Sequence, residues 1–322
     1  MRRTPIGKQA RLSKEYAQTI SPSLWGKDGK AKAHLMTLAI LFAFASALFL
    51  GFGVVTTQFG LRDVEPLAGA SISVPSFTLL FLVLSPLILQ GEPVVASGWP
   101  IFAGIGLVFP ALLTLLTFAS NRALGPVITS TLGNLAPLLS VTLALVLLHE
   151  PPQPLHLIGL VVAVAGAVIV SLTRSPDLGH WRNLALLLPL GAALVRGVVP
   201  PIVKLGLEVW PSPLWACLIG YVTSSLVLLA VQRIRKGSFI VDAPRRGRLW
   251  FSITGICNGL SVLSLFAAVR HGPISLVAPL AAIYPLVTVV LTAIMLRHVR
   301  ITARIVTGTL LTVAGVALVL IG

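Results

Sequence analysis

Few residues of this chain combine useful chemistry with a telling position, and Arg196 is the foremost. It stands in the apolar stretch 183–205, with Pro189 before it and Pro200-Pro201 after it. A guanidinium in the middle of such a stretch must face a packed interior or water, because lipid solvates charge poorly. Two roles fit. It can dock a carboxylate or another anion, with which guanidinium pairs bidentately. It can instead hold carbonyls freed by the neighbouring prolines, or reach to the membrane surface. Lys204, near the end of the same stretch, reads as a side chain reaching for the interface. Four uncharged groups join Arg196 as candidate substrate-binding residues: Gln58, Asn134, Asn258 and Tyr284, the last beside Pro285. Each is equally able to hydrogen-bond between helices. Thr129, Ser130 and Ser261 carry less information, since a hydroxyl within a helix can bond its own backbone.

Other chemistry lacks its residues. The six histidines sit at or near the ends of apolar stretches without ligand spacing, and His149-Glu150 does not continue as His-Glu-x-x-His. Cys217 and Cys257 read as small apolar fillers. No metal or cofactor is expected. The stretches hold no acidic cluster for a metal-dependent phosphotransferase and no Ser-His or Asp pair for an intramembrane protease, so no enzyme is expected either.

The elements that must position these groups are membrane helices. Of 322 residues, 56% are apolar and 10% charged, whereas a soluble chain carries roughly 25% charged residues to face water. About 20 apolar residues suffice to cross a hydrocarbon core ~30 Å thick. Such stretches lie at 35–57, 67–89, 99–120, 126–148, 155–173, 183–205, 213–232, 249–269, 274–296 and 302–321. Arg196, Lys204 and Arg304 are the only Lys, Arg, Asp or Glu residues inside them. The spacing predicts an all-α, polytopic protein of ten transmembrane helices. Residues 1–34, with eight Lys or Arg, read as a basic cytosolic tail. The net charge of +15 points to anionic lipid headgroups as partners and not to nucleic acid. Orientation signals conflict: the tail is basic, yet so are loops after odd-numbered spans, as at Arg233, Arg235, Lys236, Arg245, Arg246 and Arg248.

Laid on itself, the chain repeats. Gly51 meets Gly197, Gly60 meets Gly206, Gly125-Pro126 meets Gly272-Pro273, Pro137 meets Pro285, Gly159 meets Gly308 and Ala165-Gly166 meets Ala314-Gly315, at an offset drifting from 146 to 149 residues. Each copy holds five spans. An odd number makes the second copy enter the membrane from the opposite side, the inverted repeat of many secondary transporters. Gly159, Ala163 and Ala167, and Gly308, Thr312 and Gly315, form small-residue faces suited to close packing against the bundle or a second protomer.

The run from Gly125-Pro126-Val127 through Pro137, His149-Glu150, Gly159 and Ala165-Gly166, with its second copy from Gly272-Pro273 through Pro285 to Gly315, resembles the EamA-type repeat of the drug/metabolite transporter superfamily. The resemblance covers 35–173 and 183–321. It implies a ten-helix exporter or exchanger without an ATPase, with both termini cytosolic; a bacterial inner membrane is the expected home of such a chain. It also implies a central cavity lined by the first, third, fourth, sixth, eighth and ninth spans. The second copy departs from the first at its fourth span end, where His298 stands for Glu150. Small relatives trade protons for cationic drugs on a membrane carboxylate. No span here has one, so amino acids or organic anions are expected as solutes ahead of cations. Multidrug efflux, or a membrane scaffold or sensor, are the alternatives.

Overall fold

A computed structural model of the chain describes residues 29–92, 94–95, 97–133, 135–148, 154–171, 184–295 and 302–321. The regular elements among them are helices: α1 (Gly29–Gly60), α2 (Pro66–Ile88), α3 (Trp99–Val108), α4 (Ala111–Gly133), α5 (Ala136–Leu147), α6 (Pro154–Ser171), α7 (Leu187–Val209), α8 (Pro213–Lys236), α9 (Arg245–His271), α10 (Ile274–Ala281), α11 (Tyr284–Met295) and α12 (Ala303–Ile321). Seven stretches are long and apolar enough to cross a bilayer: His34–Gly60, Pro66–Ile88, Trp99–Ser130, Leu187–Val209, Pro213–Lys236, Arg245–His271 and Ile274–Met295. Ala136–Leu147 and Val306–Gly315 are shorter apolar helices. This is the build of a multi-pass membrane protein.

Helix ends and breaks follow local chemistry. Pro213 opens α8 where an N–H would find no intrahelical acceptor, and the Ser212 hydroxyl before it accepts from Trp215 N at 3.3 Å. Gly237 closes α8 in the left-handed region, φ 76°, which glycine enters without a steric penalty. Between α3 and α4 the expected span 99–120 breaks: Phe109, preceding Pro110, is extended, as the proline ring disfavours helical backbone before it. Pro137 and Pro285 lie inside the apolar stretches 126–148 and 274–296, but neither bends a continuous helix. Each is instead the second residue of a new helix, α5 or α11. Short-range turns bridge the two breaks alike, Leu138 N to Leu135 O at 3.2 Å and Leu286 N to Ile283 O at 2.9 Å.

In a bilayer no water satisfies a freed backbone group, so the protein must. Ser224 does this at the α3–α4 break. Its Oγ accepts from Ala111 N at 3.1 Å and donates to Gly106 O at 2.5 Å. Ser224→Ala leaves a buried donor and a buried acceptor unanswered, and is expected to destabilise by about 1–3 kcal/mol. A lower thermal midpoint in detergent checks this; an unchanged one rejects it.

Large apolar side chains point outward, such as Leu48 and Phe52 of α1, Leu79 and Val83 of α2, and Leu226 of α8. Small and hydroxyl residues fill much of the interior, as membrane helices bring their backbones close. Contacts between the two halves of the chain come in exchanged pairs: α1 packs along α9 as α7 packs along α3 and α4, α1 meets α10 and α11 as α7 meets α5, while α2 meets α8 and α6 meets α12. The pairing reaches single residues. A Cβ on Gly51 would come 2.6 Å from Val287 and 3.1 Å from Tyr284 O; one on Gly197 would come 2.6 Å from Leu139 and 2.7 Å from Ala136 O. Gly60 abuts Phe251 as Gly206 abuts Phe102. Helices α6 and α12 meet within the chain, Gly166 lying against Gly308 and Thr312 of the small-residue face of α12. At the membrane surface Lys236 Nζ lies 3.0 Å from Glu65 Oε2. Its hydrogen bond and charge hold Glu65 below the usual carboxylate range, but both groups are exposed, so the pair adds little stability.

Candidate substrate site

A cavity of about 90 Å³ lies between the halves. On α1, Ser46, Leu50, Val54 and Thr57 face it, a spacing of three and four residues that keeps one helix face inward. Phe109 to Phe118 of the third crossing stretch, Gly133 to Ser140 around the α4–α5 break, Arg196 to Pro200 of α7, Asn258 to Leu265 of α9, and Ala278 to Tyr284 around the α10–α11 break complete the wall, with Tyr221 added from α8. The helix breaks therefore open onto the cavity, where exposed backbone is tolerated in a membrane protein.

Arg196 is the one charged side chain in that lining among the described residues. Its Cζ lies 5.1 Å from the centre of the Tyr284 ring, a cation–π contact worth about 0.5–2 kcal/mol. Its Nε and Nη1 are buried and have no hydrogen-bond partner among the described residues. Tyr284 is 2% exposed and donates its hydroxyl to Ser130 O at 2.6 Å, tying α11 to α4. Gly133 makes this possible, since a Cβ there would collide with the Tyr284 hydroxyl.

Three of the five candidate residues thus come together around the cavity: Arg196, Tyr284 and Asn258, whose Oδ1 is buried without a partner among the described residues and sits against Gly53. Gln58 does not join them. It follows Thr57 by one position, which rotates it about 100° off the cavity face, and its Nε2 donates to Asn121 O at 2.7 Å. Asn134 lies outside the described residues, as do Glu150 and His298. Lys204 is half-buried, away from the lining, and Arg304 is exposed at the start of α12.

The site also holds groups that inspection of single residues passes over. Thr117 faces the cavity, and its Oγ1 has no partner among the described residues. Asn121, one turn on, donates Nδ2 to Val54 O at 3.2 Å and so clamps α4 to α1 together with Gln58. The available signal was the recurrence of Thr114, Thr117 and Asn121 every three or four residues in an apolar run. Ser261 also lines the cavity, but it is engaged with Ser46 of α1.

Comparison with known proteins follows the same division of the chain. The sequence model described as the EamA-like transporter family matches residues 37–172 and again 183–321. A solved crystal structure of a protein, 17% identical, superposes with a TM-score of 0.70 over 87% of this chain and 94% of its own. At that identity the likeness concerns the fold alone. No curated protein matches.

Proposed function

The chain belongs to the EamA-like transporter family, and on that footing we propose that it is a secondary transporter of small metabolites, amino acids or organic anions, which it exports across a bacterial inner membrane by alternating access. In this reading the chain crosses the bilayer ten times. Residues 1–34 form the tail, and 35–173 and 183–321 are inverted five-helix repeats. The exchanged contacts between the halves favour it, because two equivalent ways of closing one cavity are what alternating access requires.

The observation that carries the solute class is Arg196: a half-buried arginine whose buried Nε and Nη1 are unanswered among the described residues, in a cavity whose described lining holds no carboxylate. An acidic group on the solute would supply the missing acceptors through charge-assisted bonds. Efflux of cationic drugs fits poorly, as the single charge at the site has the wrong sign.

Proteoliposomes loaded with a mixed metabolite pool provide the test. Selective movement of carboxylate-bearing solutes is expected. Movement of neutral or cationic solutes alone overturns the anion reading, and movement of none overturns transport in favour of a scaffold or sensor.

A further inference from the structure

Among the described residues the cavity lining carries one positive charge and no negative one. Most hydroxyls around it already serve the protein. Thr57 donates to Gly53 O at 2.7 Å, Ser140 to Gly197 O at 2.7 Å, Ser261 to Ser46 O at 2.8 Å and Tyr284 to Ser130 O at 2.6 Å. The remaining wall is apolar, built on Leu50, Phe109, Leu113, Phe118, Val262 and Leu265. At about 90 Å³ the space is of the same order as the ~150 Å³ hole that takes benzene, so a solute of about six heavy atoms suits it.

From this charge and surface distribution we infer that the preferred solute is a small monocarboxylate with an apolar body. The inference rests on the transport reading and narrows it. One carboxylate cancels the charge of Arg196 and leaves the complex neutral, which a low-dielectric site favours. A dicarboxylate brings a second charge that nothing in the lining neutralises, and burying an unpaired charge is strongly unfavourable. A zwitterionic amino acid meets the same difficulty with the opposite sign: its ammonium finds uncharged oxygens, Asn258 and Thr117 among them, but no carboxylate among the described lining residues to pair with. A neutral amide leaves Arg196 unpaired as before. The apolar wall rewards a hydrocarbon body on the other side of the acid group.

A series on one four-carbon skeleton separates these cases: butyrate, succinate, 2-aminobutyrate and butyramide. Binding to the purified full-length protein is read as ligand-induced thermal stabilisation in detergent, which grows with ligand concentration relative to Kd and avoids passive leakage of weak acids through liposomes. Butyrate is expected to bind at least about tenfold more tightly than the other three. Its advantage should disappear in Arg196→Met and persist in part in Arg196→Lys. The ranking on the native protein stands even if a variant fails to fold. Tighter Arg196-dependent binding of succinate or 2-aminobutyrate overturns the monocarboxylate inference but leaves the anion reading intact. Equal binding of butyrate and butyramide, or binding of none of the four, overturns the inference; the proteoliposome result then decides separately whether the transport reading falls with it.

Discussion

Arg196→Ala is expected to lower transport of carboxylate-bearing solutes by tenfold to a hundredfold or more, while the protein stays as stable as before. The first half follows from the bonds the side chain can make. A hydrogen bond to a charged group contributes about 1.5–3 kcal/mol, and each 1.4 kcal/mol is a factor of ten, so the loss of even one donor is easily measured. Arg196→Lys keeps the charge but replaces a planar array of donors by a compact ammonium, and should fall between the two. The second half distinguishes docking from scaffolding. A structural arginine holding helix-end carbonyls would show bonds to them; here Nε and Nη1 have no partner among the described residues. Truncation removes a cation–π contact with Tyr284, but also a half-buried charge with no ion partner among the described residues, and the second change offsets the first. Transport assays alongside thermal unfolding in detergent decide the matter. A variant that unfolds readily, or one that transports anions at the native rate, would sink the docking role.

That arginine was visible in the sequence because a charge inside an apolar stretch is costly to place, although docking and scaffolding fitted its position equally there. The helical, multi-pass build was visible for a related reason: hydrocarbon tolerates so few charges that the gaps between them mark apolar helices. Among the described residues, seven of these are long enough to cross a bilayer. The repeat was visible too, and the structure gives its physical meaning, since Gly51 and Gly197 are glycines for one reason applied twice, each seated on a neighbouring backbone carbonyl. Helix rotation was far less legible. Thr57 faces the cavity and Gln58 does not. With both sides of α1 apolar, one facing lipid and one facing protein, amphipathicity offers no guide to which residue turns inward. Hydroxyl roles were hidden as well: Ser224 mends a helix break while Thr223 merely bonds Ile219 O one turn back. The break itself had a signal in Phe109-Pro110, since a proline inside an apolar run can end a helix as well as bend it.

The largest effect on stability is expected at a glycine, and a second glycine supplies the comparison. A Cβ on Gly255 of α9 would overlap Ser73 O and come 2.7 Å from Ser73 C and 3.0 Å from its Cα. These are backbone atoms of α2, fixed in its helical ladder, so no side chain can swing aside. Alanine normally gains about 1 kcal/mol over glycine within a helix. Here that gain is opposed by overpacking, which costs about 1–3 kcal/mol or more where neighbours cannot relax. The clash wins. Gly255→Ala should lower the thermal midpoint, and Gly255→Val should prevent assembly of α9 against α2. Gly104 of α3 is exposed, with nothing within 4 Å of its added Cβ, so Gly104→Ala meets only the propensity term and should hold or raise the midpoint. One substitution thus gives opposite signs at two helical glycines of one protein. Were both variants equally stable, the close approach of α9 to α2 would be refuted, and with it the account of why the halves meet across glycines.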